Sequence, residues 1–177
     1  MAAGAHVVAY LALGSNQGER LEHLRAGVHS LDGAGMSVRR ASSVYEGPYV
    51  GTCGRQNAYL NAVVQVVTHL TPLALLERTQ GIERARGRAP DGHQRPRPLD
   101  IDVLWYGDGI IRHPRLVVPH PRIEERRFVL EPLAEIGALR GMARRGLVGR
   151  LQALRATQTL RRVAALEREG SRESVGA

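Results

Sequence analysis

The sequence contains no lysine, because all 25 of its basic residues are arginine. A Walker-type phosphate loop closes on a lysine and Schiff-base chemistry needs a lysine amine, so both mechanisms are excluded. Cys53 is the only cysteine, which excludes an internal disulfide and a thiolate metal site and fits a reducing compartment. The sequence also shows no basic, apolar leader and no apolar run of the roughly 18 residues that a membrane span needs. We therefore expect a cytoplasmic protein with no membrane partner.

The chain carries a formal net charge of +8 over 177 residues. Such an excess of positive charge favours anionic partners: nucleotides, phosphates or nucleic acid. The length suits one domain with a real hydrophobic core. We expect a single domain over residues 1–177, with its core over about 6–137, a basic C-terminal helix over about 146–168 and a frayed tail after it.

The hydrophobic pattern predicts six elements in the order β-α-β-β-α-β. They are a strand at 7–13, a helix with Leu21, Leu24, Val28 and Leu31 at helical spacing, strands at 36–45 and 59–67, a helix that begins at Thr71-Pro72, and a strand at 99–106. Gly107-Asp108-Gly109 indicates a hairpin into Ile110-Ile111. The order is that of the ferredoxin-like α+β unit, in which two helices pack on one face of an antiparallel sheet. The fold class is therefore α+β, ferredoxin-like, with an added hairpin strand and C-terminal helices.

Two acidic residues, Asp100 and Asp102, alternate with Leu99, Ile101 and Val103 in the last of these strands. Side chains alternate between the faces of a strand, so both carboxylates face one side and the apolar residues face the other. Carboxylates placed in this way can hold two divalent cations that clamp a phosphate chain, and oxygen ligands suit Mg²⁺. The pattern taken alone is equally compatible with salt bridges on a solvated sheet face.

A loop rich in arginine lies immediately before the acidic pair. It carries Arg84, Arg86, Arg88, Arg95 and Arg97. Arginine grips phosphate oxygens through a fixed fork of donors, so acid beside concentrated arginine indicates a site for a metal polyphosphate. A solvated loop, or a loop that touches nucleic acid, would account for the arginines taken alone. A zinc site built from His113, His120 and the aspartates lacks a recognised ligand spacing.

Several short motifs, in order, resemble the 6-hydroxymethyl-7,8-dihydropterin pyrophosphokinase family between about Tyr10 and Ile136. They are A-L-G-S-N at 12–16, S-S-V-Y at 42–45, G-P-Y-V-G at 47–51, Y-L-N-A-V at 59–63, T-Q-G-I-E at 79–83, G-R at 87–88, R-P-L-D-I-D at 97–102, V-P-H at 118–120 and R-R-F-V-L at 126–130. The resemblance implies a ferredoxin-like enzyme that transfers pyrophosphate from ATP to the pterin hydroxymethyl group in folate biosynthesis and releases AMP.

The resemblance also implies roles for individual residues. Asp100 and Asp102 would bind two Mg²⁺ ions that arrive with ATP, and Arg88 and Arg97 would complete the catalytic set. The ATP-binding positions would be Gln80, Glu83, Arg88, Arg97, Arg115, His120 and Arg126. The pterin-binding positions would be Gly47, Pro48, Val50, Tyr59, Asn61 and Phe128, with the rings of Tyr59 and Phe128 holding the pterin between them.

Three positions differ from residues common in the family: His93 or Gln94 stands where a lid tryptophan is frequent, Gly47 replaces a larger side chain, and Pro121 stands where tyrosine is common.

Two alternative functions remain open. One is a catalytically silent relative that binds pterin, which the intact acidic pair disfavours. The other is a ferredoxin-like RNA-binding module, which a chain with one phenylalanine disfavours because such modules stack bases on strand aromatics. We therefore expect small-molecule substrates, no nucleic acid and a monomer.

Overall fold

A computed structural model describes most of the chain. The described residues are 6–33, 35–49, 56–88, 96–140 and 145–166. Val50, Cys53, His93, Gln94 and Arg95 lie outside them. The predictions made for those five positions therefore stay predictions.

As far as residue 106 the elements follow the order that the hydrophobic pattern predicts, except that the strand predicted at 36–45 is divided in two, and more elements follow. The strands are β1 (Val7–Ser15), β2 (Met36–Ala41), β3 (Val44–Gly47), β4 (Tyr59–Thr68), β5 (Asp100–Tyr106), β6 (Ile111–His113), β7 (Leu116–Val118) and β8 (Arg161–Ala164). The helices are α1 (Arg20–Leu31), α2 (Pro72–Ala85), α3 (Arg127–Glu135) and α4 (Arg145–Thr157), with a 3-10 turn at Ile123–Glu125.

The main sheet is antiparallel, in the order β5-β1-β4-β3-β8, and β2 also pairs with β4. The single strand predicted at 36–45 is therefore two strands on one edge of β4. Ser42 and Ser43 lie between them, and their side chains form hydrogen bonds in addition to the backbone ladder. Ser42 Oγ accepts from the N–H of Val63 at 2.9 Å, and Ser43 Oγ donates to Glu135 at 2.7 Å. These bonds interrupt the strand without leaving its polar groups unpaired.

Helices cover both faces of the sheet. On one face, Leu11 and Leu13 of β1 share a core cluster with Leu24 of α1 and Leu75 of α2. On the other face, a second cluster joins Tyr10 of β1 and Val63 of β4 to apolar residues of α3 and α4: Val129, Leu130, Leu133, Leu151 and Leu154. The predicted pair of helices on one face is correct for α1 and α2. Because α3 and α4 lie on the opposite face, the structure has three layers.

The predicted start of α2 is confirmed. Thr71 Oγ1 accepts a hydrogen bond from the N–H of Ala74 at 3.4 Å, and Pro72 occupies the first helical position. The helix ends at Ala85, before Gly87 adopts a positive φ of 90°. This end places Arg88 at the mouth of the site described below.

The predicted hairpin at Gly107-Asp108-Gly109 is wrong. The turn exists, but Gly107 N–H donates to the carbonyl of Val8 in β1 at 2.8 Å, and β6 pairs with β7 as a separate two-stranded sheet. The hairpin therefore forms one element later, between Ile111 and Val118. Its turn residues, Pro114 and Arg115, follow a residue whose ring helps to close the turn, since His113 Nδ1 accepts the N–H of Arg115 at 3.1 Å.

The predicted C-terminal helix at 146–168 is too long. The helix ends at Thr157, and the chain returns as β8, which pairs with β3. Arg161 of β8 reaches Glu46 of β3 at 2.6 Å, so charge pairing favours the strand. Leu166 is buried in the first core cluster, and the core therefore continues beyond residue 137. No helix within the described ranges is long and apolar enough to cross a membrane.

Candidate active site

A cavity of about 340 Å³ opens on the α3 face of the sheet. Its floor follows from strand register: Asn61 of β4, Gly14 of β1 and Asp100 of β5 lie in one row across three strands. Asp102 lies opposite Ala12 of β1, which also lines the cavity. Ile101 lies between the two aspartates and is buried in the core cluster on the other face. The predicted separation of acidic and apolar faces along β5 is therefore confirmed.

Gly14 gives the floor its depth. A Cβ atom built at this position would lie 3.4 Å from the ring of Tyr59 and 3.5 Å from Asn61 Oδ1. A larger side chain here would fill the space between the aromatic side and the acidic side of the cavity. This is the physical reason for a glycine in the first motif, A-L-G-S-N.

Asp100 is held by two arginines. Its Oδ1 accepts hydrogen bonds from Arg88 Nη1 and from Arg97 Nη1, both at 2.7 Å. The Asp100 side chain is 23% exposed and that of Arg97 14% exposed. Charge-assisted bonds of this length are strong when water is largely excluded. Two guanidinium groups therefore converge on the acidic end of the cavity, as the sequence predicted for a polyphosphate site.

Glu83 supports this cluster from behind and does not line the cavity. Its buried carboxylate accepts the N–H of Ile101 at 2.7 Å and also contacts Arg88. Burial raises the pKa of Glu83 to about 7, and the hydrogen bond from Ile101 and the charge of Arg88 oppose that rise. Because Ile101 separates the two aspartates, Glu83 fixes the backbone that presents both of them.

Asp102 has looser partners than Asp100. Its Oδ2 lies 3.6 Å from Arg126 Nη1 and 3.9 Å from His120 Nε2, distances beyond those of good hydrogen bonds. Loss of solvation, and then the neighbouring charge of Asp100, raise the pKa of Asp102 to about 6. The carboxylate nevertheless faces the cavity, since 38% of the side chain is exposed. It is the more accessible of the two cavity carboxylates.

His120 is neutral at physiological pH. Burial, Arg126 and Arg122 lower its pKa to about 4. Nδ1 accepts the N–H of Arg122 at 3.1 Å, and a neutral imidazole has one donor and one acceptor. The proton is therefore on Nε2, the atom that faces Asp102 and the cavity. His120 can donate a hydrogen bond to an anion there.

Aromatic rings line the cavity together with these charged groups. Tyr59 and Phe128 both line it, and Tyr49 stacks on Tyr59 with ring centroids 6.2 Å apart and an interplanar angle of 23°. The guanidinium carbon of Arg126 lies 5.6 Å from the centroid of the Phe128 ring, a cation–π distance. A flat ring bound between Tyr59 and Phe128 would therefore lie beside a fixed positive charge.

Asn16, the last residue of the A-L-G-S-N motif, holds the arginine segment in place. Its buried Oδ1 accepts the N–H of Arg97 at 2.8 Å, and its Nδ2 donates to Gln56 Oε1 at 2.9 Å. The amide thus joins β1 to the segment before β5 and to the segment before β4. The A-L-G-S-N motif taken alone does not indicate this role for Asn16.

The structure brings most of the predicted site residues into one cavity. Those that line it are Pro48, Tyr59, Asn61, Arg88, Arg97, Asp100, Asp102, His120, Arg126 and Phe128. Gln80, Glu83, Arg115 and Gly47 do not line it. Arg115 is exposed and pairs with Glu77 at 3.2 Å. The assignment of Gln80, Glu83 and Arg115 to ATP stays a prediction.

Gly47 has a structural explanation that the sequence did not reveal. It is buried in β3, and a Cβ atom there would lie 3.1 Å from Leu160 Cδ1. The chain that leads into β8 passes over this position, so the space that a larger residue would need is taken. Gly47 therefore serves the approach of the C-terminal segment rather than the wall of the cavity.

Two polar residues that line the cavity were not among the predicted site residues. Arg122 adds a guanidinium beside His120, and Tyr49 adds a ring beside Tyr59. Arg122 lies two residues after the V-P-H motif, and Tyr49 lies within the G-P-Y-V-G motif. Those motifs were the available signal for them.

The cavity carries net positive charge and matches an anionic ligand. Four guanidinium groups and two carboxylates line it, and the buried Nε of Arg126 has no hydrogen-bond partner among the described residues. No cluster of three metal-ligating side chains occurs among those residues either. Two carboxylates fit Mg²⁺ all the same, since Mg²⁺ keeps waters and binds through one or two carboxylates together with substrate phosphates.

Comparisons with known proteins identify the family of this chain. The family model of 7,8-dihydro-6-hydroxymethylpterin-pyrophosphokinase (HPPK) matches residues 10–138. The chain is 45% identical over 130 residues to the 2-amino-4-hydroxy-6-hydroxymethyldihydropteridine pyrophosphokinase of Bacillus subtilis, covering 73% of this chain and 77% of that protein. It is 44% identical over 129 residues to the protein of the same name from Methylorubrum extorquens, covering 72% and 81% of the two chains.

Longer proteins match over part of their length. The folate synthesis bifunctional protein of Arabidopsis thaliana is 41% identical over 127 residues, which are 71% of this chain and 26% of that protein. The crystal structure of Plasmodium falciparum HPPK-DHPS A437G with SDX-DHP has the same fold, with a TM-score of 0.67 at 14% identity, covering 88% of this chain and 47% of that chain. The chain thus spans less than half of either of these two relatives. From the family match and the identities above, the chain belongs to the 7,8-dihydro-6-hydroxymethylpterin-pyrophosphokinase family.

Proposed function

We propose that this cavity transfers pyrophosphate from ATP to the hydroxymethyl group of 6-hydroxymethyl-7,8-dihydropterin, with release of AMP, in folate biosynthesis. The observation that carries the proposal is one cavity lined both by arginines and carboxylates and by the aromatic rings of Tyr59 and Phe128. A polyphosphate and a flat heterocycle could therefore bind side by side. Close, oriented placement of two reactants supplies a large part of the catalytic effect in such a transfer.

Asp100 and Asp102 are the proposed ligands of two Mg²⁺ ions that arrive with ATP. When bound, the metal would neutralise phosphate charge and orient the chain. The short bonds from Arg88 and Arg97 to Asp100 hold two guanidinium groups at the cavity, where they could also bind phosphate oxygens. If each arginine exchanged its bond to Asp100 for a bond to phosphate as ATP binds, its charge would stay paired with an anion.

His120 and Arg126 are the proposed donors to the phosphates on the Asp102 side. The neutral His120 ring presents its Nε2 proton to the cavity, and Arg126 presents its guanidinium 3.6 Å from Asp102. Donors that are already in place when negative charge moves need no reorganisation. Arg122, at the same side of the cavity, would add a third donor.

Asp102 is also the proposed acceptor of the hydroxymethyl proton. Its pKa of about 6 leaves it ionised at neutral pH and makes it a stronger base than an ordinary aspartate. In the proposed step the hydroxymethyl oxygen forms a bond to the β-phosphorus as the bond from that phosphorus to the oxygen of AMP breaks. The proton passes from the hydroxymethyl group to Asp102.

The pterin is proposed to lie between Tyr59 and Phe128, with Asn61 at its edge. Asn61 is buried on the cavity floor, and its Nδ2 donates to the carbonyl of Tyr59 at 3.3 Å. Its Oδ1, beside Gly14, is an acceptor for the ring's amino and amide N–H groups. Shape and hydrogen bonding together would select a pterin over a plain aromatic ring.

We further propose that the core is a ferredoxin-like unit and that the protein acts as a cytoplasmic monomer without a nucleic-acid partner. The strand order β5-β1-β4-β3 and the α1–α2 layer support the topology. The concentration of guanidinium groups inside a cavity, rather than along an open sheet face, supports a small anionic substrate. Gel filtration would report a mass near 19.4 kDa for a monomer.

The deciding experiment is to incubate the protein with ATP, hydroxymethyl-dihydropterin and Mg²⁺ and to identify the nucleotide product. AMP formed in step with a pterin diphosphate supports the proposal, and its formation should stop when the metal is chelated and resume when Mg²⁺ is restored. ADP as the product would mean transfer of a single phosphate and would contradict it. Absence of any turnover, together with tight RNA binding, would favour the RNA-binding alternative.

A further inference from the structure

Gln158, between α4 and β8, holds both neighbours of Arg126. Its Oε1 accepts the N–H of Arg127 at 2.9 Å, and its Nε2 donates to the carbonyl of Glu125 at 2.8 Å. Arg127 Nη1 in turn donates to the carbonyl of Gln158 at 2.6 Å. One side chain thus bonds the backbone on each side of Arg126, from more than 30 positions along the chain.

Arg126 depends on this support because its own side chain does not cap the helix. It is the N-cap residue of α3, with extended backbone and no side-chain cap bond. The first N–H groups of a helix need partners from elsewhere, and Gln158 supplies one. The backbone at this point aims Arg126 at Asp102 and sets Phe128 beneath its guanidinium.

The C-terminal segment fixes Gln158 in turn. Leu151 and Leu154 of α4 are buried in the cluster that contains α3, and Arg155 Nε donates to Glu131 of α3 at 3.0 Å. The N–H of Gln158 continues the helix by donating to the carbonyl of Leu154 at 2.8 Å. Gln158 is therefore carried by a docked helix.

We propose that Gln158 is a positioning residue for the reaction, acting through Arg126. It lies beyond the segment matched by the family model, residues 10–138. The inference rests on the proposed function, in which Arg126 contacts the phosphates. The C-terminal segment then has a specific role: it sets the angle at which α3 presents Arg126 to the cavity.

The test is a double-mutant cycle between Gln158→Ala and Arg126→Ala, read as kcat/KM for AMP formation. Misplacement of a catalytic group by about 1 Å can cost up to about 100-fold, so we expect Gln158→Ala to lower kcat/KM by about 10-fold. In the Arg126→Ala background the same change should have almost no effect, because the group being positioned is gone. Gln158→Glu keeps the acceptor for Arg127 and should lose less.

Gln152→Ala is the matched control, since Gln152 is an exposed glutamine of the same helix. It should leave kcat/KM and the unfolding temperature unchanged. If Gln158→Ala lowers kcat/KM equally with and without Arg126, or leaves it at the wild-type value, the positioning role is wrong.

Binding of a non-hydrolysable ATP analogue separates this inference from the proposed function. If the wild type makes no AMP, the proposed function fails, while weaker analogue binding by Gln158→Ala only when Arg126 is present still supports positioning. If the wild type makes AMP and Gln158→Ala matches it in both readouts, the positioning role fails alone.

Discussion

The two ends of the acidic pair are built differently, although Asp100 and Asp102 are two residues apart on one strand. Asp100 accepts two bonds of 2.7 Å from arginines, whereas the Arg126 guanidinium and the neutral His120 ring lie 3.6 and 3.9 Å from Asp102. Burial and the charge of Asp100 raise the pKa of Asp102 to about 6. The charge of Asp100 is balanced by two arginines within hydrogen-bond distance. The charge of Asp102 faces Arg126 at the longer distance of 3.6 Å.

The difference indicates that the D-I-D motif has both a structural and a chemical role. The Asp100 end links three segments of chain, because α2, the residues before β5 and β5 itself meet there through Arg88, Arg97 and Glu83. The Asp102 end faces the cavity, and its partners Arg126 and His120 lie farther away, at 3.6 and 3.9 Å. The raised pKa of Asp102 occurs at the residue proposed to accept the proton, and perturbed pKa values are common at active sites.

The largest expected effect is the loss of activity when either aspartate is replaced. The two variants should lose activity alike and should differ in stability. Asp100→Asn and Asp102→Asn should each lower kcat/KM by at least about 1,000-fold, or about 4 kcal/mol of transition-state stabilisation. Asp100→Asn should also lower the unfolding free energy, because it weakens two ion pairs. Asp102→Asn should raise it by about 1 kcal/mol, less than the pKa shift suggests because more than a third of the side chain is exposed.

Steady-state assays of AMP and thermal unfolding at pH 7.5 would measure both effects. Glu19→Gln, at an exposed carboxylate before α1 that makes no side-chain cap bond, is the control and should change neither. Equal loss of stability in the two aspartate variants would remove the distinction drawn between them.

The next effect concerns Glu83 and the pH dependence of stability. A carboxyl whose pKa rises from 4.5 in the unfolded chain to about 7 in the fold keeps its proton when the unfolded state has lost it. The unfolded state then binds fewer protons, so this group makes stability fall as pH rises from about 4.5 to 7. Glu83→Gln keeps an acceptor for Ile101 and cannot ionise.

Denaturant unfolding of both proteins across that pH range would test this sign. The stability of Glu83→Gln relative to the wild type should increase by about 2 kcal/mol between pH 4.5 and pH 7. A relative stability that decreases over the same range would show that Glu83 is held ionised by Arg88 instead. The contribution of Asp102 has the same sign in both proteins and largely cancels.

A smaller effect is expected on KM, and it should fall on a different substrate at each end of the acidic pair. Phe128→Ala removes a ring from the Asp102 end and should raise KM for the pterin about 10-fold, in line with the roughly 1.5 kcal/mol of a good aromatic contact. KM for ATP should change far less. Arg88→Ala, at the Asp100 end, should show the opposite selectivity, and identical changes in both KM values would break the assignment of the ends.

The smallest effect is expected at Arg115, outside both ends. Its pair with Glu77 is exposed on both sides, and such pairs contribute about 0–1 kcal/mol. Arg115→Ala should therefore change the unfolding free energy by less than about 0.5 kcal/mol. A clear rise in KM for ATP with unchanged stability would support its predicted contact with the nucleotide, and an unchanged KM would argue against it.

Local patterns along the chain predicted much of the fold. The alternation in β5 placed Asp100 and Asp102 on one face, and Thr71-Pro72 marked the start of α2. These predictions succeeded because side-chain period and capping depend on neighbours in sequence. The break at Ser42 and Ser43 and the strand at 161–164 depend on partners far along the chain, and no local pattern marked them.

The sequence by itself determined that lysine chemistry and disulfides are excluded, that acid lies beside arginine, and that one phenylalanine stands in a recognisable motif. Tertiary structure alone decided that Asp100 is closely paired with two arginines while Asp102 has looser partners, that Glu83 lies behind the cavity, and that Gln158 brackets Arg126. The physical reason is that charge compensation and burial depend on distances between segments. Those distances are set only when the sheet and both of its helical layers have formed.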